Sequence, residues 1–294
     1  MSFDFFIAVD WSGDKESLQR SLYVAICGNT DNPPRILHNP YRKDGIWSRS
    51  DLTKMINSVW IPDQMTLIGF DFAFAFPYND KQSYFPDGSS SFQNAYDLWK
   101  EIEKICEGDD NFYGGSFYSQ NPIYSKYFLV QNQRGKNFDG KRKRKTEAVC
   151  LKNIKTNPES PFKCIGAAQV GPGSVSGMRL LNHFHKVNPE SPIIWPFQKL
   201  KDYTTTFIEI FPRIYYLGAN EKPSKRIDYD VINKILAKYH SKPLSKNHIV
   251  KSKDEADAII SAAAIRYFSK YDKYWNPEHM NDIARRYEGW IFGV

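Results

Sequence analysis

Acidic residues follow apolar segments at several points in the chain, where carboxylates could support metal-dependent chemistry. Asp10 comes directly after the apolar segment 3–9, and Asp71 comes directly after the segment 66–70. Glu209 lies inside a third apolar segment, where an ionised carboxylate is costly to bury unless it is paired or binds a metal. If these segments are parallel strands, their carboxyl ends meet at the sheet edge where open α/β sheets place their functional sites.

A late helical segment adds two further acids. Asp254 and Asp257 are three residues apart, so both project from nearly the same face of a helix predicted over 253–270. Ser261 and Ala264 continue that face, and small side chains there let a helix pack closely against a sheet. Clustered carboxylates repel one another and require a counter-charge, which Mg²⁺ or Mn²⁺ supplies through oxygen ligands. Two such ions, about 3.5–4 Å apart, would stabilise the attacking and leaving oxygens of phosphodiester hydrolysis.

The elements that must position these acids belong to an α/β fold. Short apolar segments bounded by turn residues predict strands, and apolar residues at helical spacing predict helices. The predicted strands cover 3–9, 21–27, 35–38, 66–70, 192–197 and 206–211. The predicted helices cover 50–60, 91–106, 176–186, 228–239, 253–270 and 277–286, with Ser50 as the N-cap of the first. This order predicts a mixed sheet of five or more strands flanked by helices, in a single domain over 1–294 with an insertion at roughly 78–192 after the fourth strand.

The composition is that of a globular protein. The chain has 294 residues, of which 41% are apolar and 25% charged, and this excludes a disordered chain. A net charge of +7 and an aromatic content of 15% hint at nucleic acid, because cations neutralise phosphates and rings stack on bases. The four cysteines lie far apart without a C-x-x-C pair, which argues against a structural zinc site and a disulfide framework. With neither a signal peptide nor an apolar run of about 20 residues, we expect a cytoplasmic protein without a membrane partner.

An ordered set of short motifs spans nearly the whole chain. They are Ala8-Val-Asp-Trp-Ser12, Ile68-Gly-Phe-Asp-Phe-Ala73 with Pro77, Arg144-Lys-Thr-Glu147, Gln169-Val-Gly-Pro-Gly-Ser-Val-Ser-Gly-Met178, Ile194-Trp-Pro-Phe197, Glu209-Ile-Phe-Pro212, Asp254-Glu-Ala-Asp-Ala258 and Glu288-Gly-Trp-Ile291. As a set they resemble an uncharacterised family of predicted nucleases with a ribonuclease H-like fold. The paired acids on the late helix are also similar to those of bacterial Holliday-junction resolvases.

The resemblance implies a ribonuclease H-like sheet and a metal-dependent nuclease that acts on DNA or RNA with Mg²⁺ or Mn²⁺ as cofactor. It further implies that Asp10, Asp71, Glu209 and Asp257 are catalytic metal ligands, with Asp254 as an alternative ligand or an acid that supports the ligands from behind. Other polar residues of these motifs are candidates for substrate contacts. They are Ser12, Arg144, Thr146, Glu147, Gln169 and Ser174.

Two segments have a functional and a structural explanation. The glycine-rich segment 166–178 could hold a phosphate at the N-terminus of the helix that follows, but glycines needed only for turns are about as common. The basic segment 141–145 could contact a phosphate backbone, but a solvated loop is the commoner explanation for such a run.

Two other functions remain open on the sequence. The loop Asp10-Trp-Ser-Gly13 resembles the first phosphate loop of actin and the sugar kinases, which would indicate a nucleotide-binding phosphotransferase or ATPase. Such proteins usually duplicate the fold, and no second acid–glycine loop follows a later strand. The remaining alternative is a binding module, for nucleic acid or protein, without turnover. The candidate acids argue against it, because like charges gathered at one edge do not help a merely structural sheet.

Overall fold

A mixed β-sheet lies at the centre of the fold. The structure is a computed structural model that describes residues 2–61, 65–87, 91–131, 133–166, 169–225 and 227–294. The strands are β1 (Phe5–Asp10), β2 (Tyr23–Gly28), β3 (Arg35–Leu37), β4 (Thr66–Phe70), β5 (Leu129–Val130), β6 (Gln133–Arg134), β7 (Ile193–Ile194) and β8 (Thr206–Glu209). Within the described residues, six of them form the main sheet in the order β3-β2-β1-β4-β8-β7. Strands β1, β4, β8 and β7 are parallel, β2 is antiparallel to β1 and β3, and β5 and β6 form a separate hairpin.

Helices flank this sheet. They are α1 (Arg49–Met55), α2 (Ala95–Ile105), α3 (Lys145–Val149), α4 (Gly171–Val187), α5 (Pro212–Gly218), α6 (Tyr229–Lys238), α7 (Lys253–Phe268) and α8 (Asp272–Trp275). Single turns of π-helix extend α1 over Ile56–Trp60 and α3 over Cys150–Ile154. Among the helices of the described ranges, none is both long and apolar enough to cross a lipid bilayer.

One face of the sheet packs against α7, which runs across β1 and β2. Small residues meet there, since Ala8 and Ala25 of the strands and Ala262 of the helix are fully buried in one apolar core. Ser261 of α7 is also fully buried. The short side chains let the helix axis approach the sheet closely, so the N-terminus of α7 comes near the carboxyl end of β1.

The opposite face of the sheet shares an apolar core with the insertion. Val9 and Phe70 from the strands lie in the same cluster as Phe76, Phe117 and Phe162. The rings of Phe76 and Phe162 are stacked, with centroids 4.9 Å apart. Adjacent residues of a strand project to opposite faces, so the two cores alternate along β1. The aromatic residues of the insertion therefore serve mainly as core.

Several elements differ in extent from the sequence prediction. The first helix is capped by Ser48 instead of Ser50, because the Ser48 hydroxyl accepts a hydrogen bond from Asp51 N at 3.0 Å. The predicted strand over 192–197 is reduced to β7, since Pro192 and Pro196 have no N–H for a sheet ladder.

Five helices differ from the prediction, and α3, α5 and α8 are the three that it missed. The helix predicted to begin near Ser176 starts instead at Gly171, where Pro172 is accommodated in the first turn. Helix α5 was not predicted, although Pro212 stands at its first position. The helix predicted over 277–286 is a single π-helical turn, Ala284–Glu288.

Candidate functional site

Asp10 and Asp71 lie side by side at the carboxyl ends of neighbouring parallel strands. Val9 of β1 is paired with Phe70 of β4, and each acid is the next residue along its chain. The Asp71 amide donates to the Val9 carbonyl oxygen at 3.0 Å, which continues the ladder one residue past β4. Since neighbouring strands are about 4.8 Å apart, the two acids are adjacent at this edge of the sheet.

Asp10 and Asp254 line one open cavity of about 590 Å³, which we call the acid cleft. Asp254 reaches it from the first turn of α7, whose N-terminus is fixed by the Ser252 hydroxyl accepting from Glu255 N at 3.0 Å. The rest of the lining is mostly polar and comes from the loop after β1 and from the insertion. It includes Ser12, Asp14, Lys15, Tyr113, Tyr118 and Gln131.

A buried arginine fixes the loop after β1. The Arg49 side chain has no exposed surface, and its Nε donates to Ser12 O at 3.0 Å while Nη2 donates to Asp14 O at 2.5 Å. Its Nη1 donates to Asn111 O at 3.0 Å, which ties the loop to the insertion. Burial lowers the pKa of Arg49 to about 10, still well above neutral pH, so the guanidinium is charged. Arg49 therefore holds the wall of the acid cleft in place.

The glycine-rich segment packs directly against the same loop. A Cβ added to Gly13 would lie 2.3 Å from Gly173 N and 2.6 Å from the Pro172 carbonyl carbon, so only glycine fits at position 13. Trp11 Nε1 donates to Ser176 Oγ at 2.9 Å and adds a second link to α4. The N-terminus of α4 thus lies beside the acid cleft. Residues 167 and 168 of the glycine-rich segment lie outside the described residues.

Ser174 and Gln169 have different positions in this region. Ser174 is fully buried, and its hydroxyl accepts from Ala73 N at 3.2 Å, so it joins α4 to the segment after β4. Gln169 lines the acid cleft and also a smaller cavity next to it. Of these two candidates for substrate contacts, the geometry favours Gln169.

The side chains of Glu209 and Asp10 project from opposite faces of the sheet. It ends β8 in register with Phe70, which is paired with Val9, and both of these residues belong to the core beneath the insertion. Asp10 follows Val9 and so projects to the face covered by α7. The sequence prediction placed these acids at one edge of the sheet, and the register additionally separates Glu209 from Asp10 by face.

Glu209 is the partner of a buried arginine. Arg144 Nη1 and Nη2 donate to Glu209 Oε2 and Oε1 at 2.7 and 2.5 Å, and Phe74 N donates to Oε2 at 3.0 Å. Burial alone lowers the pKa of Arg144, but the charges of Glu209 and Glu147 outweigh it and hold the pKa above its ordinary value. Arg144 is therefore a permanent cation at the centre of a buried network.

The rest of the Arg144-Lys-Thr-Glu147 motif belongs to the same network. Glu147 accepts from Arg144 Nε at 2.9 Å and from Arg144 N at 2.7 Å, which caps α3. Thr146 is fully buried and accepts from Ile291 N at 3.1 Å. Glu288 accepts from the backbone N–H groups of residues 78, 79 and 145 at 2.6–2.7 Å. These contacts fasten the C-terminal segment to the insertion.

A smaller cavity of about 260 Å³ adjoins the acid cleft, and we call it the side pocket. Trp11, Gly13 and Gln169 line both cavities. The polar part of the side pocket comes from Asp71, Arg144, Glu147, Glu159 and Glu209. Its apolar walls include Phe72, Val170, Ile210, Phe211 and Ile291.

Asp257 lies deeper than Asp254. It is 5% exposed, and its Oδ1 accepts from the Tyr216 hydroxyl at 2.8 Å. In the described part of the chain it lines neither the acid cleft nor the side pocket. One turn of helix therefore places Asp254 at the cleft and Asp257 in a packed interior.

The structure groups the predicted site residues in three places. Asp10, Ser12, Gln169 and Asp254 line the acid cleft, whereas Asp71, Arg144, Glu147, Gln169 and Glu209 line the side pocket. Thr146, Ser174 and Asp257 are buried contacts behind these surfaces. Sequence reasoning missed Arg49 and Lys15 in the neighbourhood of Asp10. The position of Lys15, two residues after the loop Asp10-Trp-Ser-Gly13, could have indicated that it lies near Asp10. No local sequence pattern indicates the position of Arg49.

The acid cleft contains the kind of oxygen ligands that a hard cation prefers. Within the described ranges, no group of three or more His, Cys, Asp and Glu side chains is arranged to hold a metal ion. Mg²⁺, however, usually keeps several waters and binds one or two carboxylates together with substrate phosphates. Asp10 and Asp254 at the cleft, with Asp71 beside Asp10, fit that kind of site.

Comparison of the chain with family models, curated proteins and solved structures gives no match.

Proposed function

We propose that this protein is a metal-dependent nuclease of ribonuclease H-like fold that hydrolyses phosphodiester bonds in DNA or RNA. The observation that carries the proposal is the juxtaposition of Asp10 and Asp71 at the ends of parallel neighbours, with Asp254 of α7 on the same cleft as Asp10. Neighbouring carboxylates repel one another, and a divalent cation bound beside them offsets that repulsion. A metal site at this edge of the sheet would explain why Asp10 and Asp71 are neighbours.

The topology supports the ribonuclease H-like assignment. In the resemblance drawn from the sequence, one acid ends the first strand, another ends the fourth, and a pair lies on a late helix. Here β1 and β4 are parallel neighbours, and α7 packs across β1 and β2 on the face to which Asp10 projects. These placements bring the first strand, the fourth strand and the late helix to one edge.

We propose that Asp10 and Asp71 are the direct metal ligands, and that Asp254, on the same cleft as Asp10, would hold a water of the ion. Glu209 and Asp257, which the resemblance also implied, are engaged by Arg144 and by the Tyr216 hydroxyl respectively. A divalent ion bound at this edge would supply Lewis-acid stabilisation of the charge that develops on the phosphate oxygens.

The chain's own groups would bind and orient the nucleic acid. Lys15 on the cleft wall offers a positive charge to a phosphate, and the N-terminus of α4 adds its positive dipole end nearby. Tyr113 and the buried Tyr118 also line the cleft, where the more exposed Tyr113 offers ring surface to an unstacked base. Arg49 keeps the loop that carries Ser12 and Asp14 in place, so these contacts have a fixed geometry.

Cleavage assays with defined substrates test the proposal. The pure protein is incubated with single- and double-stranded DNA and RNA, an RNA–DNA hybrid and a four-way junction, with Mn²⁺, Mg²⁺ or EDTA. We expect cleavage of at least one substrate with a divalent ion and none with EDTA. Asp10→Asn should lower the rate by about 100-fold or more without lowering Tm. The matched control is Asp4→Asn, an exposed acid at the other end of β1.

Three results would contradict the proposal. The first is that no substrate is cleaved with Mn²⁺. The second is cleavage that survives in both Asp10→Asn and Asp71→Asn. The third is tight Mg²⁺–ATP binding in a calorimetric titration, with ATP hydrolysis that is lost in Asp10→Asn, because this would favour the phosphotransferase alternative.

A further inference from the structure

The side pocket combines aromatic and aliphatic walls with a buried polar end. Trp11 and Phe72 are 8% and 3% exposed, and their rings lie 5.2 Å apart as part of the wall. The half-buried Phe211 lies on the same pocket. Since Trp11 and Gln169 line the acid cleft as well, the pocket opens beside the proposed phosphodiester site. Aromatic and aliphatic walls of this kind bind flat, weakly polar groups.

The polar end of the side pocket is rich in hydrogen-bond acceptors. Glu147 and Glu209 are 3% and 2% exposed, yet both line the cavity. Each carboxylate oxygen of Glu147 accepts a hydrogen bond from Arg144, at 2.9 and 2.7 Å, and a carboxylate oxygen has a second lone pair. N–H donors of a ligand could therefore bond to these carboxylates, which line the cavity beside Arg144.

A bare metal ion fits the side pocket poorly. The Arg144 guanidinium lies between Glu147 and Glu209 and would repel a cation there. No metal-binding group of three or more His, Cys, Asp and Glu side chains occurs in the described residues, those of the side pocket included. The ligand that suits these walls and this polar end is a planar group with apolar faces and hydrogen-bond donors along one edge. A nucleobase has these features. Guanine fits best, because its imino and amino N–H groups point the same way and match one carboxylate.

Gly173 keeps one wall of the pocket open. A Cβ added there would meet Trp11 Cδ1 at 3.7 Å and Gly13 N at 3.9 Å, which is ordinary van der Waals contact. Both of these neighbours line the side pocket, so a side chain at position 173 would enter that space. Position 173 is in the first turn of α4, where a non-glycine residue is compatible with the helix.

We propose that the side pocket binds a nucleobase of the substrate, with a preference for guanine, while the adjoining acid cleft holds the neighbouring phosphodiester. The inference rests on the proposed nuclease function, which makes a nucleic acid the ligand. Enzymes that hold an unstacked base typically read its edge with hydrogen bonds and enclose its faces with apolar side chains.

Calorimetric titration with GMP, AMP, CMP and UMP in EDTA tests the inference separately from catalysis. We expect GMP to bind about tenfold more tightly than the other nucleotides. Gly173→Leu should weaken GMP binding by at least tenfold. A matched control is Gly108→Leu, since a Cβ added at Gly108 meets nothing within 4 Å. Glu147→Gln should reduce the preference for GMP. If Glu147→Gln does not fold, GMP binding by Gly173→Leu still tests the inference.

Several outcomes would overturn the base pocket. They are the absence of binding by any nucleotide, equal affinity for all four, and GMP binding that Gly173→Leu leaves intact. A loss of Mn²⁺ affinity in Gly173→Leu with unchanged GMP binding would place the effect of the substitution in the acid cleft, which Trp11 and Gly13 also line, and would overturn the inference. Cleavage without nucleotide binding would overturn this inference and leave the nuclease proposal standing. Nucleotide binding without cleavage would contradict the nuclease proposal and leave the base pocket standing.

Discussion

Arg144 and Glu209 form a buried bidentate ion pair, with Nη1–Oε2 and Nη2–Oε1 distances of 2.7 and 2.5 Å. Both side chains are at most 3% exposed. The pair joins β8 of the sheet to the start of α3 in the insertion, and Arg144 also donates to Glu288 O at 3.0 Å near the C-terminus. Three distant parts of the chain therefore meet at one guanidinium.

We predict that Arg144→Met strongly destabilises the fold. The substitution leaves the carboxylates of Glu147 and Glu209 buried without their cation, which typically costs about 3–5 kcal/mol. Urea unfolding followed by circular dichroism measures the loss. Arg42→Met, in the exposed pair with Asp44, is the control and should leave the unfolding midpoint unchanged. Equal stability of the two variants would show that the Arg144 network does not hold the insertion to the sheet.

The sequence predicted the sheet core because its signals are local. The apolar segments 3–9 and 66–70 are each followed by an acid, and the helix predicted between these strands favours parallel neighbours, which β1 and β4 are. The basic segment 141–145 could not be interpreted in this way. Its Arg142 is 6% exposed and donates to Asp80 at 2.7 and 2.8 Å, a partner 62 residues away that no local pattern reveals.

The sequence predicted that acids gather at one edge of the sheet, but it did not predict which of them share a cavity. Strand-end positions placed Asp10 and Asp71 together, whereas the division between the acid cleft and the side pocket depends on the insertion. Whether Glu209 lies on the same face as Asp10 depends on a one-residue register between β4 and β8. Such a register is set by packing across the whole sheet, and a single sequence does not fix it.

We predict that Asp254 and Asp257 behave differently when each is changed to asparagine. Asp254→Asn removes a carboxylate from the acid cleft and should lower metal-dependent cleavage by about tenfold or more with unchanged Tm. Asp257→Asn alters a buried contact with Tyr216 and should destabilise the protein by about 1–3 kcal/mol. Its cleavage rate, measured well below Tm, should stay close to the wild-type value. The reverse pattern would make Asp257 the metal ligand, as the family resemblance implied.

We predict that Arg49→Lys impairs activity by loosening the loop after β1. Lysine cannot reproduce the fork that donates to Ser12 O, Asp14 O and Asn111 O. Misplacement of the cleft wall should lower kcat/KM by about tenfold, with binding of a divalent ion to Asp10 retained. Steady-state kinetics and Mn²⁺ titration measure the two effects. Arg35→Lys, at an exposed position, should match the wild type, and a loss of Mn²⁺ affinity in Arg49→Lys would contradict a positioning role.

We predict that His185 makes the fold sensitive to mild acid. Its ring stacks on Tyr96 with centroids 4.0 Å apart, and within the described residues its buried Nδ1 has no hydrogen-bond partner. Burial lowers the pKa of His185 below its ordinary value, so the unfolded chain binds a proton at a higher pH than the folded chain does. The free energy of unfolding therefore falls as the pH drops through the ordinary histidine pKa of about 6.5.

Replacement of the imidazole by a phenyl ring isolates this effect. His185→Phe keeps a ring against Tyr96 and removes the proton-binding group, so the loss of stability between pH 8 and pH 5 should be smaller than in the wild type. Urea unfolding across that pH range measures both curves. His279→Ser, at an exposed position, should keep the wild-type pH dependence. A pH dependence of His185→Phe equal to that of the wild type would assign the acid sensitivity to other groups, of which the half-buried His183, whose pKa burial also lowers, is the first to examine.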